Sequence, residues 1–359
     1  MKQPAVVAGA GVIGLTVACK LQESGRYSVV VVGENAPGEL PTGEKQSTKW
    51  ASPWAGAHWR AWASNQDTTL QEMEIKTYRA MMSIAANVSE AGIHVAQGID
   101  LFEDLPEEKP WYISMVNDGV ELPVESLPEN VMYGVQYSTL LIDVPKYLNY
   151  LSTRFKSLGG TVVKKHIDHI LDATQYADSE QNTMVIVNCT GLGSHTLGGV
   201  CDQAMYPSRG QTLLVNAPDA KRTITRLGKQ FGYIIPRGND TVIIGGTTDK
   251  HQWKCEPNAL ITDTIISRAL NLEPSLLPVD ARVLDKDAQV QALKKNIISV
   301  NVGLRPMRDG GVRLESESMR TAENGKVVVV HCYGHGGFGY QSSLAYADKV
   351  YNLVNAAVF

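Results

Sequence analysis

Residues 4–25 read PAVVAGAGVIGLTVACKLQESG, and this stretch decides the fold class. An apolar strand over 4–9 runs into a glycine turn. Residues 12–23 then carry helical spacing, and Gly25 stops the helix. YSVVVVGE (27–34) follows as a second continuous apolar strand. Strand, turn, helix and strand within about thirty residues form the unit of a doubly wound parallel sheet. Each glycine of Gly9-Ala10-Gly11-Val12-Ile13-Gly14 has a separate physical task. Gly9 permits the turn. Gly11, with Val12 and Ile13 opening the helix, lets backbone N–H groups approach a pyrophosphate at the helix N-terminus. Gly14 lets helix and strand pack closely. Glu34 ends the second strand, where a carboxylate can accept bonds from ribose hydroxyls. The motif alone does not separate FAD from a nicotinamide dinucleotide.

The rest of the chain bounds this reading. It has 359 residues, 43% hydrophobic and 19% charged, with a net charge of −4. That is a globular profile with room for two domains and no global field to attract nucleic acid or an anionic membrane. No stretch is long and apolar enough to span a bilayer. The glycine pattern after Lys2 argues against a leader peptide. Five scattered cysteines without a CxxC suggest a reducing compartment, with Cys189 and Cys332 as core thiols. No His pairing suits a metal, so none is assigned.

Helices are expected over 68–92, 143–160 and 338–357, and strands over 161–170, 183–191 and 326–334. GQTLLVNA, GYIIPR and TVIIGG, between 201 and 300, read as short antiparallel strands. The pattern implies an α/β fold. A Rossmann-like nucleotide domain would be assembled from 1–48, 143–200 and 298–359. A mostly antiparallel β domain for the substrate would take 49–142 and 201–297. NCTGLGS (188–194) and HCYGHGGFGYQSS (331–343) are two further glycine-rich strand ends, and they favour a cofactor lying extended across one domain.

Ordered motifs then carry a resemblance over almost the whole chain. GAGVIGL, SPWAGAHW (52–59), VNCTGLG, YPSRGQT (206–212), GYIIPRG, GGT (245–247), VGLRPMRDGG (302–311) and YGHGGFGYQ (333–341) together resemble the FAD-dependent D-amino-acid oxidases, the yeast and fungal members most. The resemblance implies FAD, a D-amino-acid substrate, O2 and a homo-oligomer. It implies that Gly9, Gly11, Gly14 and Glu34 hold the adenosine and pyrophosphate end, with Ser47 and Thr48 at the phosphates. Gly56 would line the isoalloxazine and Ile167 would meet adenine. Thr190, with Gly191, would reach the phosphate–ribitol region. Gly334, Gly336, Gly337, Gly339, Tyr340 and Gln341 would contact flavin ring and ribitol. Arg305 would pair with the substrate α-carboxylate and Tyr233 would add a phenolic bond. The Gly337 carbonyl would accept from the amine, and Gln341 would hold a bridging water. No general base is needed, because the Cα hydrogen leaves as a hydride to the flavin.

The resemblance also bears on specificity. Arg226 stands seven residues before Tyr233, as in the D-aspartate oxidases, and would meet a second substrate carboxylate. His58, Arg60 and Thr248 lean the same way: two basic residues after PWAGA, and a small residue where many fungal members place a bulky tyrosine. Acidic D-amino acids, D-aspartate first and then D-glutamate, are therefore the expected substrates. A broad oxidase of neutral D-amino acids, with Arg226 as a solvated loop residue, is the alternative. Against the acidic reading, mammalian D-aspartate oxidases place a further arginine where Thr248 stands; Lys250 is the nearby cation here. Relatives of this class are commonly peroxisomal. The chain ends NAAVF, without a Ser-Lys-Leu address, which leaves the cytoplasm as the other expectation.

Overall fold

The computed structural model describes residues 2–38, 47–177, 183–321 and 325–358. In chain order the first elements are β1 (Gln3–Ala8), α1 (Val12–Glu23), β2 (Tyr27–Gly33), α2 (Thr68–Asn87), β3 (Ile93–Phe102), β4 (Val120–Glu121) and β5 (Tyr133–Ile142). Next come α3 (Val144–Ser157), β6 (Thr161–Lys164), β7 (Thr183–Asn188), β8 (Met205–Asn216), β9 (Thr223–Leu227), β10 (Gly232–Pro236), β11 (Thr241–Gly245) and β12 (Asp249–Lys250). The chain closes with α4 (Ala259–Leu272), α5 (Lys286–Lys295), β13 (Ile297–Arg308), β14 (Arg313–Arg320), β15 (Lys326–Tyr333) and α6 (Gly339–Val358).

Two sheets organise the molecule. The six-stranded sheet has the order β14-β15-β7-β1-β2-β6, parallel except for β14 on its edge. In β1 buried and exposed positions do not alternate: Ala5, Val6, Val7 and Ala8 are all fully buried, as a strand covered on both faces requires. On one face α1, α3 and α6 share a core with Val7, Val31 and Val330; on the other, Val6, Val32 and Val329 pack on Ile170 and Leu197. The nine-stranded sheet runs β12-β8-β11-β10-β9-β3-β5-β4, with β13 also paired along β8. It is antiparallel except where β3 meets β9.

Several expectations need correction. The strand expected over 161–170 ends at Lys164, and residues 170–176 form a 3-10 helix that His169 and Asp172 cap reciprocally. The long helix over 68–92 ends at Asn87, where Val88 leaves the helical region at φ −135°; a 3-10 turn over Ser89–Ala91 follows, and Gly92, at φ 66°, turns the chain into β3. β3 and β5 escaped the pattern reading: β3 mixes exposed and buried positions irregularly. The segment change expected near 298 falls at the start of β13, which pairs with β8 in the nine-stranded sheet. The chain returns to the six-stranded sheet only at β14.

Candidate functional site

One cavity of about 1410 Å3 runs from the carboxyl ends of β1 and β2 to the face of the nine-stranded sheet. At one end, Gly9 and Gly14 are held by sterics. A Cβ on Gly9 would lie 2.4 Å from the Cys189 carbonyl oxygen, and one on Gly14 1.9 Å from the Gly9 carbonyl oxygen. Gly14 therefore packs helix on strand and does not itself face the cavity. Gly11 is the N-cap of α1, with no capping side chain of its own. Ser52 Oγ accepts from the Val12 N–H at 3.0 Å instead, and a Cβ on Gly11 would crowd that oxygen at 2.9 Å. The turn is a polar cradle that any side chain would fill.

Of the expected residues, Gly9, Gly11, Val12, Ile13, Glu34, Ser47, Thr48, Gly56, Ile167, Thr190 and Gly191 border this cavity. So do Gly334, Gly336, Gly337, Gly339, Tyr340 and Gln341. Glu34 stands at the far end, 3.4 Å from His166 Nδ1. The Thr190 hydroxyl is already engaged, donating to Asn188 Oδ1 at 2.8 Å and lying 2.8 Å from Ser194 Oγ. The 47–56 segment is tied down at several points. Thr48 O accepts from Leu304 N–H, Tyr340 Oη donates to Ser52 O, and Arg237 donates to Ala55 O.

At the other end lie Tyr233, Thr248, Arg305, His58 and Arg60. Arg305 reaches across β8, and a Cβ on Gly210 would meet its guanidinium at 2.4 Å. The guanidinium donates to Thr247 O at 2.9 Å and to Tyr233 Oη at 3.4 Å. Among the described residues no carboxylate pairs with it. Arg60 differs: its Nε is 3.1 Å from Asp100 Oδ2, in a buried cluster where Tyr112 and Tyr137 also donate to that carboxylate. Its charge is spoken for. Gln341 likewise spends its amide N–H groups on Arg60 O and on Glu74 Oε1, so the bridging-water role expected of it has no free donor here.

Arg226 is the main correction. It does not border the cavity. β9 and β10 pair with Tyr233 opposite Thr225, and both of those side chains face the cavity; the next residue, Arg226, must point to the other face. There it is 5% exposed, with Nε 2.8 Å from Glu103 Oε1 and Nη2 donating to the Glu129 and Asn130 carbonyls. Burial would raise the Glu103 carboxyl, but bonds from Arg226 and the Gln230 and Lys229 N–H groups outweigh it and hold the pKa below the ordinary value. The pair is structural. The sequence could not show this, because the partner lies far upstream, just past the end of β3.

Sequence reasoning missed two groups, Thr225 and Glu74, and took His58 only as a basic residue. Thr225 replaces Arg226 on the cavity wall, and its buried hydroxyl has no partner. Glu74, fully buried, accepts from Trp62 and Ala63 N–H and so fixes Trp62 against Gly337. His58 Nε2 is buried without a partner. Burial, with Arg60 nearby, pushes the His58 pKa down to about 3, so it is a neutral hydrogen-bonding group at working pH. Its sign predicts an acid lability. The folded state resists a proton that the unfolded chain takes near pH 6.5, so stability present above that pH drains as pH falls toward 3. Each pH unit in that window costs about 1.4 kcal/mol. Melting curves from pH 7 to 4 should fall less steeply for His58→Asn than for the parent. Equal slopes would assign the loss elsewhere, His331 being a second buried imidazole with a lowered pKa.

Among the described residues no cluster suits a metal ion, and no helix is long and apolar enough to cross a membrane. Comparison with known proteins adds four findings. The family model described as FAD dependent oxidoreductase matches residues 5–353. A D-aspartate oxidase from Cryptococcus neoformans var. grubii is 31% identical, over 98% of this chain and 96% of its own. A D-amino-acid oxidase from Schizosaccharomyces pombe is 34% identical, over 95% of this chain and 93% of its own. Among solved structures, glycine oxidase from Bacillus cereus shares the fold, with a TM-score of 0.70 at 18% identity over 100% of this chain and 96% of its own.

Proposed function

Because this chain belongs to the family of FAD-dependent oxidoreductases, we propose that it oxidises neutral D-amino acids to 2-oxo acids, ammonia and H2O2, with Arg305 as the anchor of the substrate α-carboxylate. The carrying observation is the Arg305 guanidinium, which faces the cavity beside the Tyr233 hydroxyl with no carboxylate partner among the described residues. A planar fork without its own anion is suited to a bidentate carboxylate from outside.

FAD, when bound, supplies the two-electron acceptor for the Cα hydrogen and passes both electrons to O2. The residues here do the rest. The 9–14 cradle and Glu34 hold the dinucleotide, and the tethered 47–56 segment with the 334–341 loop lines its ring. Arg305 and Tyr233 hold the carboxylate end of the substrate, and the Gly337 carbonyl accepts from its amine. Among the described residues, no acidic side chain borders this end of the cavity to hold the amine as an ammonium. Fixing both ends of Cα sets which hydrogen faces the ring, and this supplies the rate through positioning. It also selects one enantiomer.

The side-chain wall is Thr225, Ile235, Phe231 and neutral His58. Those groups offer an acidic side chain no buried unpaired cation, and an uncompensated carboxylate there would cost several kcal/mol. A second reading keeps acidic substrates. Its support is the D-aspartate oxidase relative and Lys250 on the cavity border. Peroxide release decides. The purified protein should be yellow and release FAD on denaturation. D-alanine and D-methionine should exceed D-aspartate by at least about tenfold in kcat/KM, and L-alanine should be inert. D-aspartate as the best substrate would transfer the reading to the acidic class and to Lys250.

A further inference from the structure

Beside the phosphate cradle stand two cysteines that this chemistry does not use. β7 and β15 run parallel with Asn188 opposite His331, so the next residues, Cys189 and Cys332, leave neighbouring strands side by side. Adjacent strands lie about 4.8 Å apart, inside the Cα separation a disulfide spans, roughly 4.4–6.8 Å. Both side chains are buried in the cluster beneath α1 and α6, and both residues border the cavity. Cys332 Sγ lies 3.9 Å from His335 Nε2.

The pair is unsymmetrical. The neighbouring Cys189 thiol, and after it His335, hold the Cys332 thiol below its ordinary pKa against the effect of burial. The same pairing, with burial, pushes Cys189 up. Cys332 has thiolate character and Cys189 sits ready as a resolving thiol. The backbone couples this pair to the cradle. Cys189 N–H donates to Ala8 O at 2.8 Å, and the Cys189 carbonyl abuts Gly9.

We propose that Cys189 and Cys332 form a reversible disulfide, driven by the H2O2 that turnover releases in the same cavity, and that this bond loosens the FAD cradle. The oxidant, and only the oxidant, rests on the oxidase reading above. The Cys332 thiolate attacks one peroxide oxygen, the O–O bond breaks, and the departing hydroxide takes a proton to become water. Cys332 is then a sulfenic acid. The Cys189 sulfur attacks the Cys332 sulfur, the S–O bond breaks, and that hydroxide leaves with the Cys189 proton as a second water. Two thiols lose two hydrogens and two electrons; one peroxide gains them.

The test treats FAD-loaded protein with reagent H2O2 alone and, separately, with D-alanine in air with and without catalase. Thiols are then alkylated and peptides mapped by mass. The expected product in the reagent arm is a linked Cys189–Cys332 peptide that dithiothreitol reverses, with FAD bound about tenfold more weakly until reduction. Cys332→Ser should give no linked peptide and keep its FAD through the same treatment. The proposal is overturned if Cys189 and Cys332 stay alkylatable in the reagent arm while exposed Cys201 oxidises. It is equally overturned if linked protein binds FAD as before. A linked peptide with reagent peroxide, but no peroxide from D-alanine, leaves the thiol pair standing and removes the neutral-substrate oxidase reading. Should Cys332→Ser fail to fold, the mapping on the parent protein still decides.

Discussion

Arg305→Ala should lose about two to four decades of kcat/KM with every D-amino acid while the protein stays yellow. The size follows from the environment. The guanidinium lies over Gly210, in contact with Thr247 O and Tyr233 Oη, and would be sealed further by the substrate. Removing one partner of such a pair costs about 3–5 kcal/mol, and each 1.4 kcal/mol is a decade. Arg305→Lys should recover only part of the loss, because an ammonium cannot make the two parallel bonds of the fork. The absorbance spectrum separates this from a folding defect. Turnover near the parent level in Arg305→Ala, with FAD bound, would remove Arg305 from the substrate site.

Glu103→Ala should be the most damaging change away from the cavity, lowering stability by about 3 kcal/mol or more. It strands buried Arg226 and releases the turn that Glu103 ties through the Lys229 and Gln230 N–H groups at 2.7 and 3.0 Å. The double variant Glu103→Leu with Arg226→Met should be less damaged than the sum of the singles, since no lone charge is left behind. Denaturant melts of the three variants measure this. The D-alanine to D-aspartate ratio should change by no more than about threefold in Arg226→Met. A selective collapse of D-aspartate turnover there would return Arg226 to the substrate.

The cradle was legible because its constraint is local. Gly14 is required by the Gly9 carbonyl, which the strand–turn–helix pattern already brings beside it, and Gly9 by its own φ of 108°; the Cys189 carbonyl that also crowds Gly9 comes from a distant strand. That Arg305 borders the cavity was legible through the resemblance alone; nothing in its spacing shows that it crosses Gly210. Arg226 was misplaced for a physical reason. Sequence distance to Tyr233 does not fix a face, and a hairpin register that opposes Tyr233 to Thr225 turns the neighbouring residue away. β3 was missed because its buried positions answer to partners on both sides, not to a period of its own. The Asp100 and Glu74 clusters were invisible because each gathers side chains from several separated segments.

β13 ends in the nine-stranded sheet, yet its tail is fastened to the glycine loop of the other. Gly336 N–H donates to Pro306 O at 2.9 Å, and Met307 bridges to His335. Arg305, the proposed carboxylate anchor, and the loop at 334–337 are thus one piece of hardware, neighbours by stitching as well as by position. Among the described residues, the β9–β10 wall meets the anchor through the Tyr233 hydroxyl, while Thr225 has no hydrogen-bond partner for its hydroxyl. A lineage, or a designer, can therefore exchange Thr225 and its neighbours to retune which D-amino acid enters without disturbing the register between anchor and cofactor, which is a structural basis for diversifying specificity on a conserved reaction.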